Sequence, residues 1–163
     1  MYKAEKYLYP DICKWFKFFL EQKFRQSKIQ VADTSRKNLS KWLVENKLHE
    51  AFPDYQTYEI EVDVSGVIES SKEVHLAFVE CKLGKITLRD ISQLLGYSRV
   101  ALPVYSFIIS PKGISQSLNS LFNIFRRNDV LYYSKDKHVI IGKWDERRKD
   151  LNLNSIIPKG FSI

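Results

Sequence analysis

Three residues in two short stretches have the types and spacing of a hydrolytic centre: Asp63 in "EVDVSGVI", and Glu80 and Lys82 in "HLAFVECK". Positions two apart in a strand share a face, so Glu80 and Lys82 point one way and Cys81 the other. If the two stretches pair as an antiparallel hairpin across the polar "ESSKE", Asp63 comes to lie beside them. Two carboxylates can then hold a divalent cation, Mg²⁺ or Mn²⁺, with positions left for water and a phosphate oxygen. Phosphodiester hydrolysis is the chemistry that asks for this arrangement. The cation polarises the phosphate and acidifies a bound water, while Lys82 orients that nucleophile or neutralises charge developing on the phosphate. The main-chain carbonyl of Cys81 is a further hard oxygen for the metal, with the thiol packed beneath. The plainer reading makes Asp63 an edge residue and Glu80 a simple partner of Lys82. Charges interrupting so apolar a run need compensation if buried, and either a metal or solvent exposure supplies it.

The elements that must position these groups follow from periodicity. Pro10 and Asp11 open a helix in "PDICKWFKFFLEQKF", with Ile12, Phe16, Phe19 and Leu20 at helical spacing and Trp15 and Phe18 widening the stripe. So wide an apolar girth places the first 28 residues in the body of the fold. "ADTSRKNLSKWLVENKLHEAF" predicts a second helix, capped by Thr34 or Ser35 and ending near His49. A strand is predicted over Thr57–Ile68, with Gly66 permitting a bulge or bend. It pairs with "VHLAFVECKL". Strict alternation sets Glu59, Glu61 and Asp63 against a face that carries Leu76 and Phe78 as well as Glu80, a conflict that a bulge or pairing at the strand ends alone would relieve.

Thr87 and Asp90 form a capping-box pattern for a helix over "LRDISQLLGYSRVAL", and "VYSFIIS" reads as an interior strand. Ser115 caps a further helix carrying Leu118, Leu121, Phe122 and Phe125, and "VLYYS" and "HVIIGKW" form a late hairpin around "KDK". Residues 1–145 read as one α/β domain and residues 146–163, with few periodic features, as a C-terminal tail that can pack on it.

The pair "EVDVSGVI" and "HLAFVECK" resembles the core of the PD-(D/E)xK, or restriction-endonuclease-like, nuclease superfamily. The aspartate maps to Asp63 and the E-x-K pair to Glu80 and Lys82, with Val62 in place of the proline. "QLLGY" resembles the Q-x-x-x-Y element of RecB-like members, mapping to Gln93 and Tyr97, four apart and so on one helical side with Arg89. The resemblance covers about Thr57 to Ser110. It implies a mixed central sheet flanked by helices and a Mg²⁺- or Mn²⁺-dependent DNA nuclease. In that activity Asp63, Glu80 and Cys81 serve the metal, and Gln93 and Tyr97 place the substrate. Such members often add a glutamate from the first helix, for which Glu21, Glu45 and Glu50 are candidates; many act as dimers or within repair, recombination or restriction systems.

Composition sets the wider bounds. With 26 Lys plus Arg against 19 Asp plus Glu, the net charge of +7 suits a phosphate backbone, DNA or RNA, or an acidic surface. Two cysteines without a CxxC pair give neither a disulfide framework nor a zinc site. With no secretion signal and no long apolar run, the expectation is a soluble, cytoplasmic protein without membrane contact. Arg126, Arg127 and the basic residues from Lys135 to Lys149 are candidate phosphate contacts or a solvated surface, and Tyr132, Tyr133 and Trp144 are candidate base stackers or core. His49, His75 and His138 lack metal-site spacing. Trp15, Phe18 and Phe19 offer an aromatic surface for a dimer or partner interface. The competing functions are a catalytically inactive nucleic-acid-binding or assembly module of the same fold, and a protein-partner domain.

Overall fold

Pro10 sits in the first turn of helix α1 (Tyr9–Lys23), where its missing N–H forfeits no intrahelical bond. The computed structural model, which describes residues 2–161, buries Ile12, Trp15, Phe16, Phe19 and Leu20 of that helix. Phe18 stands 62 % exposed, so it lies outside the buried stripe, and Trp15 and Phe19 are core residues and not an exposed aromatic surface. Strand β1 (Lys28–Asp33) follows, then helix α2 (Leu39–Glu45). The cap of α2 is Asn38, whose side chain accepts from the Ser40 amide, and not Thr34 or Ser35. Thr34 is instead buried, donating to the Val62 carbonyl at 2.6 Å and sharing a hydrogen bond with Ser65. The helix stops at Glu45, and a separate 3₁₀ turn (His49–Ala51) carries the chain past His49.

Residues 58–63 are extended without belonging to the sheet. The carbonyls of Tyr58 and Ile60 accept from the amides of Ser40 and Leu39 at the start of α2, and the Asp63 carbonyl accepts from Thr34. Tyr58, Ile60 and Val62 are buried while Glu59 and Glu61 face solvent, so the alternation is real but the strand proper is shorter: β2 is Val64–Glu69. That removes the conflict of faces, because Glu59 and Glu61 never enter the ladder.

Strand β3 (Val74–Cys81) returns antiparallel to β2, and α3 (Leu88–Ala101), with its Thr87/Asp90 capping box, crosses to β4 (Tyr105–Ser110), parallel to β3. Helix α4 (Gln116–Asn119), capped by Ser115, continues as a π-helical turn (Ser120–Ile124) that leaves Phe125 exposed. Then come β5 (Tyr132–Ser134), β6 (Lys137–Asp145) and β7 (Asp150–Ile157). The sheet runs β1-β2-β3-β4-β6-β5, with β7 also on β6; β4 and β6 are parallel and β5 and β7 antiparallel to β6. The stretch after residue 146 is therefore in good part a strand. Its register slips against β6 between Ile141 and Lys143, which pushes Leu153 into solvent and blurs the alternation.

One face of this mixed sheet packs on α1 through Val64, Ile68, Val79, Phe107 and Trp144; the other packs on α2, α3 and α4 through Val67, Leu76, Phe78, Ile108 and Ile141. The architecture is a helix-flanked α/β sandwich. Among the described residues no helix is long and apolar enough to cross a membrane.

Gly66 makes no bulge; it pairs in regular register with Val31 and Ala77. A Cβ there would meet Leu20 Cδ1 at 2.9 Å and Phe16 Cε1 at 3.2 Å, so the glycine lets α1 lie close on the sheet. Leu20 and Phe16 are fully buried and have little room to yield. Gly66→Ala is expected to cost about 1–3 kcal/mol by overpacking, read from the urea midpoint.

Candidate functional site

The β2–β3 register pairs Val64 with Val79, and one step further along it Asp63 stands opposite Glu80. The pair lies at the carboxyl end of β3, beside the carboxyl end of the parallel strand β4. In open α/β sheets this is the edge where loops gather and ligands bind. The loops after β3 and β4 are tied together there by an Ile86–Ile114 bridge and by Ser110 Oγ donating to the Gly84 carbonyl.

Glu80 is 5 % exposed. Its Oε1 accepts from Lys82 Nζ at 2.8 Å, while Oε2 is buried with no hydrogen-bond partner among the described residues. Asp63 is held from both sides: Oδ1 accepts from the Tyr9 hydroxyl and Oδ2 from the Cys81 amide, each at 2.8 Å. α1 thus supplies a donor from its first turn, and β3 supplies one from its backbone. Cys81 itself is wholly buried with its thiol in the core under α1, as the alternation requires.

Burial, then the neighbouring Asp63 charge, pushes the Glu80 carboxyl up to about 7, against the pull of Lys82. Burial also raises Asp63, although the Cys81 amide and the Tyr9 hydroxyl favour its charged form. Burial works against the Lys82 ammonium, but Glu80, Glu5 and Asp63 together outweigh it and hold its pKa up. Burial and Asp63 raise the Tyr9 phenol, which keeps it a donor.

Sequence reasoning missed Glu5. It lies in a 3₁₀ turn (Glu5–Tyr7) ahead of α1, accepts from the Leu83 amide at 3.2 Å, and its charge reaches Asp63 and Lys82. Glu21 and Glu45 are instead engaged with Lys17 and Lys37 on the surface, and Glu50 is exposed. No spacing marks Glu5, whose contact spans 78 positions.

Gln93 and Tyr97 do share a side of α3, and Gln93 Nε2 donates to the Tyr97 hydroxyl at 3.1 Å. Neither makes a hydrogen bond with Asp63, Glu80 or Lys82 among the described residues, so the structure joins the carboxylate–lysine group but not the whole predicted set. Lys85, Arg89 and Lys112 are exposed around the same edge. Of the stacking candidates only Tyr132 is exposed; Tyr133 is buried, donating to the Pro103 carbonyl, and Trp144 is core. His75 pairs with Glu73.

Two carboxylates, one with a bare buried oxygen, form the hard donor set that divalent cations of the Mg²⁺ type take. Among the described residues no group of three or more His, Cys, Asp or Glu converges as a preassembled metal cluster. No family model matches the chain, and no curated protein or solved structure matches it either.

Proposed function

We propose that this chain is a metal-dependent nuclease that hydrolyses DNA phosphodiester bonds on a restriction-endonuclease-like sheet. The observation that carries the reading is Glu80: a carboxylate buried opposite Asp63, with Lys82 on one oxygen and the other oxygen bare. A buried anionic acceptor without a partner costs about 1–3 kcal/mol or more, and a cation at that oxygen offsets it. The antiparallel β1–β2–β3 unit leading into parallel β4, with helices on both faces, agrees with the architecture that the resemblance implies.

Asp63 and Glu80, with the Cys81 carbonyl, would hold Mg²⁺ or Mn²⁺, and Glu5 adds negative charge beside them. When bound, the cation would supply polarisation of the scissile phosphate and a more acidic water. Tyr9 and the Cys81 amide fix the orientation of Asp63. Lys82, half-buried and kept protonated by its carboxylate neighbours, places a positive charge where the attacked phosphate gains a negative one. Gln93, exposed on α3, and the hydroxyl of Tyr97, a half-buried residue beside it, contact the substrate backbone.

A second reading has its own support: both Asp63 oxygens already accept hydrogen bonds. That arrangement suits a nucleic-acid-binding or assembly module of the same fold that does not cut. The test is a cleavage panel on duplex, single-stranded, flap and branched DNA and on RNA, with Mg²⁺ or Mn²⁺. Lys82→Ala is expected to lower turnover about 10²–10³-fold and Glu80→Ala at least as much, with folding and DNA affinity retained. A folded wild type that binds no metal and cuts none of these substrates, or equal activity in all three proteins, would overturn the nuclease reading.

A further inference from the structure

We infer that the groove between α1 and the β6–β7 turn is a binding track for single-stranded nucleic acid, with Phe18 as its stacking platform. Helical spacing sets Lys14, Phe18 and Gln22 in one row along about 12 Å of α1, and Arg25 extends that wall from the turn just past the helix end. The opposite wall is Arg148, Lys149, Asp150 and Leu153, and the space between is about 560 Å³. Its floor is Trp15 and Phe19, which are 7 % and 4 % exposed, whereas the Phe18 ring stands 62 % exposed among cations. Five basic side chains line the groove against one carboxylate. Lys149 is shared with Asp11, at 3.0 Å, and Lys23 lies over the Phe19 ring.

Charge complementarity selects a polyanion. The apolar surface on offer argues against a protein partner. Of the apolar residues lining the groove, Phe18 and Leu153 alone are exposed, too little for the desolvated centre of a protein interface. One open ring flanked by phosphate-binding cations is sufficient for a nucleobase, and only an unpaired base presents its face to the ring. Tyr2 donates to Asp11, and Asp11 holds Lys149 at the groove wall. Binding of a strand on Phe18 does not depend on a cut being made at Glu80.

Binding of labelled oligo(dT), and of a duplex of equal length, is measured by fluorescence anisotropy in EDTA over a salt series. Phe18→Ala is expected to weaken oligo(dT) binding about tenfold and leave the duplex unchanged. The double reversal Arg25→Glu with Arg148→Glu is expected to weaken it more than tenfold and flatten the salt dependence. Both changes are at exposed positions, and circular dichroism checks the fold. Wild-type affinity in both variants would overturn the inference, as would an equal loss on duplex in Phe18→Ala. So would indifference to oligo(dT) with Phe18-dependent binding of a Glu/Leu-rich peptide, which would point to a protein partner. Since affinity is read without metal, a wild type that binds through Phe18 but cleaves nothing with Mg²⁺ supports the groove while removing the nuclease reading.

Discussion

Glu80→Gln is expected to resist denaturant better than the wild type above neutral pH and, on the nuclease reading, to lose cleavage of DNA. In the folded chain burial and Asp63 raise the Glu80 carboxyl from the ordinary carboxyl value of 4.5 to about 7. Between those values the folded state holds a proton that the unfolded chain has released, so unfolding sheds protons and stability falls as pH rises through the interval. At 1.36 kcal/mol per pKa unit the wild type carries a penalty of up to about 3 kcal/mol above pH 7, with none of it present at pH 4. Glutamine imitates the protonated carboxyl in shape and keeps an acceptor for Lys82, so it escapes most of that penalty. Urea midpoints at pH 5 and pH 8 for both proteins measure the effect: the variant's advantage must grow toward pH 8. A difference independent of pH, or a variant less stable at both, would show that Glu80 is not strained in the native state. On the nuclease reading the same substitution removes a metal-holding charge and lowers cleavage about 10²–10³-fold or more. Stability gained where activity is lost is the usual mark of a functional group held against its preference.

The part of the site legible in the sequence is the part that local periodicity determines. Glu80 and Lys82 share a face because a strand alternates, and Asp63 reaches them because "ESSKE" is a short polar turn between two strand patterns; both hold in the structure. The buried row of α1 was readable for the same reason, except for Phe18, since an apolar residue on the flank of a wide stripe carries no sign of which side it faces. What escaped was set by distant contacts. Thr34 reads as a helix cap, yet the Val62 carbonyl and Ser65 hydroxyl claim it. Residues 58–63 alternate like a strand, yet their carbonyls serve the start of α2 and Thr34. Among the described residues strand β1 pairs with β2 alone and buries its residues partially, so its pattern is weak, and β7 carries a register slip that blurs alternation. Glu5 reaches the carboxylate edge only through the tertiary fold.

On the nuclease reading Asp63→Ala and Asp63→Asn should both stop cleavage, but only the alanine should damage the fold. Asp63 is the acceptor for two buried donors, the Cys81 amide and the Tyr9 hydroxyl; Cys81 is 0 % and Tyr9 6 % exposed. Alanine leaves both donors without a partner. Each buried donor left unmade costs about 1–3 kcal/mol, so the pair costs about 2–6 kcal/mol, reduced by relief of a carboxylate that burial already disfavours. Asparagine keeps both contacts: its amide oxygen can accept from the Cys81 N–H, and its NH₂ can donate to the Tyr9 oxygen. Loss of the charge relieves its burial and, on the nuclease reading, removes a carboxylate that would hold the metal, so the asparagine variant should match or exceed the wild type in urea midpoint at pH 7. The comparison separates two jobs of one residue: anchoring the end of β2 to α1 and β3, and presenting negative charge beside Glu80. Equal stability in the two variants would mean that the anchoring bonds contribute nothing. Full cleavage by Asp63→Asn would mean that the charge has no part in hydrolysis.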